Sequence, residues 1–219
     1  MLDGRHGGPA VERALLACYQ CGMSIEASVR EIGREEWAAA TPIAARAFFD
    51  EEFIVGMLGT DPLRRWADAH HFYAVEPFDT TAVHLGAFLR DVLVGVIRIS
   101  PYGACFVCAH VDLTTPPDDE ILARDWLFEV EVLKAHAEYG EHAWISRVAV
   151  EPQLHGTGLG KLLLDSAVAH IERTGPGVVL LECLAQRESF YVGRGFRRAA
   201  EVVDVHADLS YLMRIDLPR

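Results

Sequence analysis

Apolar residues recur along this chain at two spacings, one typical of helices and one typical of strands. From Ile32 to Phe49 they follow the helical spacing, and Pro42 is expected to open a second part of this segment. Asp61 and Pro62 supply an N-cap and a first-turn proline, which predicts a helix running towards His71. Helices are therefore expected before the first strands.

Beyond these helices the period changes to that of strands. Val83 to Arg90 and Val92 to Ser100 are β-rich runs that meet at Arg90-Asp91, which predicts a tight hairpin. The remaining predicted elements, in chain order, are a strand at 104–111, a helix at 121–139, a strand at 143–150, a helix at 157–173, a strand at 178–183, a short helix at 187–193, and strands near 199–205 and 211–215. Helices combined with a hairpin and a strand–helix–strand unit predict an α/β fold with a mixed sheet.

Composition and charge narrow the class of protein. The chain has 219 residues, of which 51% are apolar and 24% charged, which suits a substantial core and argues against global disorder. The formal net charge of −12 argues against nucleic-acid binding, which needs a basic surface, and suits a cationic substrate. No apolar run approaches the roughly 20 residues that a membrane helix needs, so we expect no membrane association.

The organisation predicted from the sequence is one domain with an extension. Residues 1–23 are expected to form an N-terminal extension, flexible or helical. Met1 and Met23 are alternative candidates for the first residue of the natural protein. Residues 24–219 would form the domain, with an unusual insertion at about 101–141.

The five cysteines do not form a convincing metal site. Two pairs have CxxC spacing, Cys18 with Cys21 and Cys105 with Cys108, but they lie much farther apart than the pairs of a zinc ribbon. We therefore predict no metal. An odd cysteine count without a secretion signal favours a reducing cytoplasm, and Cys183 is expected to be a core residue.

The segment VAVEPQLHGTGLGKLLLD, residues 148–165, carries the strongest chemical signal. A P-loop would need a glycine where His155 stands and a magnesium-binding hydroxyl where Leu162 stands. A Rossmann loop would need its third glycine one residue later and no EPQLH between the strand and the glycines. Both readings fit poorly, although the dinucleotide one stays open as an alternative.

A loop of the form Gln-x-x-Gly-x-Gly between a strand and a helix fits better, here from Gln153 to Gly158. The free N–H groups of the first helical turn and its positive dipole end form a site for a pyrophosphate. Glycines remove the β-carbons that would hold the phosphates away. A glycine-rich turn without a ligand is the alternative.

With this loop and a second motif, VVLLECLAQRESFYVGRGF at residues 178–196, the chain resembles the GCN5-related N-acetyltransferase (GNAT) family. The resemblance implies a mixed, mostly antiparallel β-sheet flanked by helices, with a splayed central strand pair. It also implies acetyl-CoA as the acetyl donor and a primary amine as the acceptor. It covers about residues 83–216 well, whereas the earlier helices fit only in kind.

The resemblance assigns roles to individual residues. Tyr191 occupies the position of the family's general-acid tyrosine, and Glu182 aligns with a glutamate that serves as base in one branch. The base stays open, with His142, Glu129 and Glu131 as reserve candidates acting through water. The implied cofactor-binding residues are Val148, Ala149 and Val150 for the pantetheine arm and Gln153, His155, Gly156, Thr157, Gly158, Leu159, Gly160 and Lys161 for the pyrophosphate.

The sequence thus predicts a cytoplasmic N-acetyltransferase that moves an acetyl group from acetyl-CoA directly to a primary amine of a small molecule, peptide or protein. Its expected partners are acetyl-CoA and an amine substrate that suits the acidic chain if cationic, with a homodimer as the candidate assembly. The alternatives are an acyl-CoA-binding regulatory module whose catalysis has lapsed and a Rossmann-type NAD-dependent oxidoreductase.

Overall fold

The structure is a computed structural model that describes residues 27–75, 78–101, 114–202, 206 and 209–218. Its strands are β1 (Ala27–Glu31), β2 (Val83–Leu89), β3 (Val92–Pro101), β4 (Ala143–Val150), β5 (Val178–Leu184), β6 (Arg197–Val202) and β7 (Ser210–Asp216). Its helices are α1 (Arg34–Ala47), α2 (Glu52–Leu58), α3 (Pro62–Val75), α4 (Glu120–Ala137), α5 (Leu159–Thr174) and α6 (Glu188–Val192). One-turn 3-10 helices, Pro152–Leu154 and Ala185–Arg187, follow β4 and β5.

The strands form one seven-stranded sheet in the order β1-β2-β3-β4-β5-β7-β6. Among the described strands, β4 and β5 are the one parallel pair and all other neighbours run antiparallel. The predicted mixed, mostly antiparallel sheet is therefore confirmed. It differs from the parallel sheet that the Rossmann alternative requires.

The central pair of strands separates soon after it forms. Pairing between β4 and β5 is limited to Ala143 with Val179 and Trp144 with Leu180. Beyond that point β4 continues along β3 as far as Val150, and β5 continues along β7. The facing edges of the two strands are thus unpaired with each other, so the predicted splayed pair is confirmed.

Helices cover both faces of the sheet. On one face, α5 packs Leu163, Leu164 and Ala167 against the sheet in the largest buried cluster. On the other face, α1, α2 and α3 pack over β2, β3 and β4, while α4 packs over β5 and β7. This arrangement leaves the separation between β4 and β5 to be covered by the helices of the second face.

The beginning of the domain differs from the sequence prediction in two ways. The edge strand β1, whose Val29 pairs with Ala87, was not predicted because its sequence ASVRE is short and half polar. Pro42 lies inside α1 rather than at the start of a second part. The proline lacks the N–H that would bond the carbonyl of Ala38, and Thr41 Oγ1 donates to that carbonyl instead at 3.2 Å.

The later elements match their predicted types, with ends displaced by a few residues. Asp119 caps α4 by accepting hydrogen bonds from the N–H groups of Ile121 and Leu122. The extension at 1–23, the strand predicted at 104–111 and both CxxC pairs lie outside the described residues. Across the described ranges, no helix is both long enough and apolar enough to span a membrane.

Candidate active site

A cleft opens between β4 and β5 where the two strands separate. Its volume is about 860 Å³, within the range of small-molecule sites. Val148 and Val150 of β4 line it, as do Cys183 and Leu184 of β5. The glycine loop borders the cleft, and α1 to α4 supply much of the remaining lining. The strands and the glycine loop thus form one part of the lining, and the helices form the other.

Two glycines shape the loop between β4 and α5. Gly156 has φ +80° and Gly158 has φ +91°, which is the left-handed region that disfavours side chains. A β-carbon at either position would meet no atom within 4 Å. The backbone conformation, rather than crowding within the protein, therefore favours glycine, and the space beside the loop is open to a ligand.

The start of α5 presents unpaired donors beside this open space. The first intrahelical hydrogen bond runs from Leu162 N to Gly158 O at 2.9 Å, so the three preceding N–H groups have no partner in the helix. Lys161 Nζ lies 3.0 Å from Asp165 Oδ2 on the exposed side of this turn. The helix dipole and these donors can together bind an anion such as a pyrophosphate.

His155, between β4 and the glycines, makes a contact that the sequence did not indicate. Its Nε2 lies 3.0 Å from the backbone oxygen of Val150, so the ring nitrogen donates to the last carbonyl of β4. The imidazole lines the cleft and also ties the loop to the strand.

Tyr191 lies on α6 at the β5 side of the cleft, which it lines. Its ring packs edge-on against Phe190 and Phe196, at centroid distances of 5.0 and 6.1 Å. Burial raises the pKa of the phenol above its usual range, so the hydroxyl keeps its proton at neutral pH. A protonated phenol in this position can serve as a general acid.

Glu182 on β5 is fixed by two hydrogen bonds to neighbouring elements. Its Oε2 accepts from Trp144 Nε1 at 2.8 Å, and its Oε1 contacts His136 Nε2. His136 continues the chain, because its Nδ1 lies 2.7 Å from His142 Nε2. His142 Nδ1 then donates to the carbonyl oxygen of Gly140 at 2.6 Å.

Solvent exposure differs among the three hydrogen-bonded side chains Glu182, His136 and His142. His136 and His142 are 0% and 1% exposed, whereas the side chain of Glu182 is 13% exposed and lines the cleft. Burial and the nearby His136 lower the pKa of His142 to about 4, so His142 is neutral at pH 7. Glu182 is therefore the member of the chain that a ligand in the cleft can reach.

The helices bring an aromatic lining to the cleft. Aromatic side chains from α1 to α4 and their connections contribute to it, namely Phe48, Phe53, Phe72, Tyr73, Trp126 and Phe128. The carboxylates of Asp125 and Glu129, both on α4, line the same space. This part of the cleft suits a molecule with an apolar body and a positive charge.

Arg147 of β4 adds a cation to this region. Its guanidinium lies 4.7 Å from the centroid of the Tyr73 ring and 5.8 Å from that of Trp37. Desolvation lowers its pKa, while Tyr73 and the α4 carboxylates oppose the shift. Beside it, Ser146 is the extra residue of a β-bulge against β3, and its hydroxyl accepts from Arg98 Nε at 2.7 Å.

The cleft brings together most of the predicted site residues. Those that line it are Val148, Val150, His155, Gly156, Gly158, Gly160, Lys161, Glu182 and Tyr191. The other predicted residues, Ala149, Gln153, Thr157 and Leu159, do not line it. Ala149 and Leu159 are buried in the core, whereas Gln153 and Thr157 are exposed.

The three reserve candidates for the base, Glu129, Glu131 and His142, differ in their position relative to the cleft. Glu129 lines the cleft, whereas Glu131 pairs with Lys134 at 2.6 Å and lies outside the lining. His142 is buried behind His136, which the sequence did not single out. His136 precedes Glu182 by 46 residues, and a histidine inside a helical pattern gives no sign of such a distant contact.

Two other groups can be placed. Cys183 is 8% exposed within the core, and burial raises the pKa of its thiol to about 12, which disfavours the nucleophilic thiolate. In the part of the chain that the structure describes, no group of three or more His, Cys, Asp or Glu side chains could hold a metal ion.

Comparison with known proteins agrees with this geometry. Residues 126–215 match the family model described as "Acetyltransferase (GNAT) domain". No protein of curated function matches the sequence.

Similar folds occur among solved structures. A mosquito arylalkylamine N-acetyltransferase, like 5b, has a TM-score of 0.63 at 17% identity, over 88% of this chain and 100% of that one. A histone acetyltransferase HPA2 and related acetyltransferase from Corynebacterium glutamicum has a TM-score of 0.59 at 17% identity, over 88% and 97%. The PaiA N-acetyltransferase from Thermoplasma acidophilum, solved in complex with coenzyme A, has a TM-score of 0.50 at 14% identity, over 87% and 99%.

The fold thus belongs to the class seen in GNAT acetyltransferases. Residues 126–215 match the GNAT acetyltransferase domain, so the resemblance predicted from the two motifs is confirmed.

Proposed function

We propose that the protein transfers an acetyl group from acetyl-CoA directly to a primary amine. The observation that carries this proposal is the cleft between the separated strands, bordered by the start of α5 and lined by Tyr191 and Glu182. The unpaired edges of β4 and β5 offer backbone groups to an extended ligand, and the helix start offers donors to its phosphates.

The residues present fit acetyl-CoA. The pyrophosphate would lie against the N–H groups from Gly158 to Lys161, where the glycine conformations leave open space. The pantetheine arm would follow the free edge of β4 from Val148 to Val150. His155 already occupies the carbonyl of Val150, which leaves the earlier part of this edge for the ligand.

Acetyl-CoA supplies an acetyl group activated as a thioester. The chain has to orient the amine, remove the proton from its ammonium form and protonate the leaving sulfur. Tyr191 is proposed to donate that proton and to recover the second proton that the nitrogen loses. Glu182 is proposed to accept the first proton. The overall reaction converts an ammonium and a thioester to an amide, a thiol and one released proton.

The acceptor is proposed to be an amine with an apolar, preferably aromatic, body. Support comes from the aromatic lining by α1 to α4, which can bury an apolar body and contact a cation through its ring faces. The formal net charge of −12 favours the approach of a cationic amine. We extend the proposal to a reducing cytoplasm, supported by five cysteines of which Cys183 is a buried thiol, and to a homodimer.

The test is an acetylation assay that follows free thiol release with pairs of primary amines. 2-Phenylethylamine and ethanolamine both carry a primary amine on a two-carbon chain and differ in the apolar body. The proposal expects a higher kcat/KM for 2-phenylethylamine, by roughly tenfold or more for burial of the ring. A preference for ethanolamine would overturn the acceptor class.

Ligand binding distinguishes the proposed acetyltransferase from the NAD-dependent oxidoreductase and from the lapsed acyl-CoA-binding module. Acetyl-CoA should raise the melting temperature in proportion to its concentration over Kd, whereas NAD should not. Stabilisation by NAD alone would sink the proposed function. Stabilisation by acetyl-CoA with no thiol release for any amine would favour the lapsed, acyl-CoA-binding module.

A further inference from the structure

The hydrogen-bonded chain behind Glu182 constrains where its protons lie. Its far end is the carbonyl oxygen of Gly140, which can only accept, so His142 Nδ1 carries a hydrogen. Since the pKa of His142 is lowered to about 4, its other nitrogen carries none at neutral pH. His142 Nε2 therefore accepts, and His136 Nδ1 must be the donor in their 2.7 Å contact.

This assignment leaves a contact that requires one further proton. His136 Nε2 faces Glu182 Oε1, and with Nδ1 already protonated the pair can bond only if a proton lies between the two atoms. The proton resides either on His136, as imidazolium with a carboxylate, or on Glu182, as a carboxylic acid with a neutral ring. Both forms hold one dissociable proton between two side chains.

We propose that Glu182 and His136 act as one base, in which Glu182 takes the proton of the acceptor ammonium at the cleft and His136 holds it. This inference rests on the proposed function and identifies His136 and His142 as positioning residues behind Glu182. His142 fixes the ring of His136 so that Nε2 points at the carboxylate, and Trp144 holds the second carboxylate oxygen.

The burial pattern gives the direction of proton movement. His136 is 0% exposed, so a proton from the cleft reaches it through Glu182. The active form is the one without the shared proton. It gains one proton from the ammonium, which leaves the nitrogen lone pair free to attack the thioester carbonyl, and it later returns that proton to solvent through Glu182.

An imidazole binds a proton more tightly than an isolated carboxylate does, with reference pKa values of about 6.5 and 4.3. Loss of the second proton acceptor should therefore move the acid limb of the kcat/KM profile towards acid. The limb belongs to the pair as a whole.

Other titratable groups lie near this pair on the neighbouring elements. They are His142 before β4, Cys183 on β5, Arg187 in the turn that follows, Tyr191 on α6 and Glu129 on α4. Cys183 and Tyr191 have raised pKa values and stay protonated at neutral pH. The charges of Cys183 and Tyr191 therefore do not change across the acid limb of the kcat/KM profile.

The first experiment compares the kcat/KM profiles of the protein and of His136→Gln with one amine, so that the ionisation of the substrate is common to both. The midpoint of the acid limb should move towards acid by about one pH unit or more, and the alkaline plateau should fall by roughly tenfold. His170→Gln, on α5, is the control and should leave the limb in place. An unchanged midpoint in His136→Gln would overturn the shared base.

The second experiment reads the proton without catalysis and does not depend on the folding of His136→Gln. In the ligand-free protein with ¹⁵N-labelled histidine, the His136 signals are assigned through their contact with Trp144, whose ring centroid lies 4.8 Å away. Glu182→Gln keeps the size of the side chain and should move the titration of His136 towards acid by about one pH unit or more.

The two experiments separate the two proposals. No acetyl transfer to any amine would overturn the proposed function. An unaltered His136 titration in Glu182→Gln would overturn the shared proton, whether or not acetyl transfer is observed.

Discussion

Arg46, near the end of α1, forms a two-point ion pair with Glu151, the residue that joins β4 to the glycine loop. Arg46 Nε lies 3.0 Å from Glu151 Oε2, and Nη2 lies 2.6 Å from Oε1. The side chains are 18% and 1% exposed, so the pair is largely shielded from water. This contact connects α1, one of the helices that line the proposed binding region for the amine, with the loop proposed to hold the pyrophosphate.

Removing one charge of this pair should destabilise the fold. Glu151→Gln leaves the Arg46 guanidinium without its charged partner, which should cost about 3 kcal/mol and lower the melting temperature by roughly 5–10 °C. Thermal unfolding and the Kd for CoA measure the effect, and both should worsen because the loop loses its anchor. Glu36→Gln is the matched control, since the Arg30–Glu36 pair is exposed. An equal change in the two variants would contradict a structural role for the Arg46–Glu151 pair.

The phenol of Tyr191 should matter for turnover more than for binding. Tyr191→Phe keeps the ring packing against Phe190 and Phe196 but removes the proton that the raised pKa retains. We expect kcat to fall by about a hundredfold, with the Kd for CoA unchanged. Steady-state kinetics and calorimetry separate the two quantities. Unchanged turnover would show that Tyr191 only packs α6 onto the sheet.

The positive φ of Gly158 predicts that substitutions at Gly158, before α5, and at Gly160, inside α5, have different effects on stability. Gly158→Ala places a β-carbon on a residue with φ +91° and should destabilise the protein by about 1–2 kcal/mol. Gly160→Ala lies in the helix, where the nearest contact of a new β-carbon is Phe190 at 3.7 Å. It should be neutral or stabilising by about 0.5–1 kcal/mol. Denaturant unfolding without ligand measures both, and equal effects would contradict the conformational explanation.

Stability should depend on pH through His142. Its pKa is lowered in the folded state to about 4, so between about pH 6.5 and pH 4 the unfolded chain binds a proton that the folded chain does not. The stabilisation is fully present above about pH 6.5 and is lost as the pH falls towards 4. Burial lowers the pKa of His84 as well, with the same sign.

The measurement is the melting temperature across this pH window. His142→Gln should flatten the fall in melting temperature towards acid pH, and His170→Gln should not. If His142→Gln shows the same slope as the unmodified protein, the titration of His142 does not control acid stability.

The sequence determined the elements whose signals are local. Hydrophobic period predicted the hairpin at Arg90, whose φ of +56° fits a tight turn, and the strand–loop–helix unit around Gly156. The spacing of glycines and of the LLEC and FYVGRGF motifs indicated the resemblance to the GNAT family, because those features depend on backbone conformation within one short segment. Weak local signals failed, as with β1 and with Pro42 inside α1.

The tertiary structure alone decided which distant side chains meet. The separation of β4 from β5 depends on how each strand pairs with its other neighbour, and no pattern within either strand encodes it. The contact of Glu182 with His136 joins residues from α4 and β5, and Arg46 reaches Glu151 across 105 positions. Such contacts arise only when helices pack onto the sheet, so the sequence predicted Glu182, Tyr191 and His142 as candidates, while packing supplied His136 behind the carboxylate.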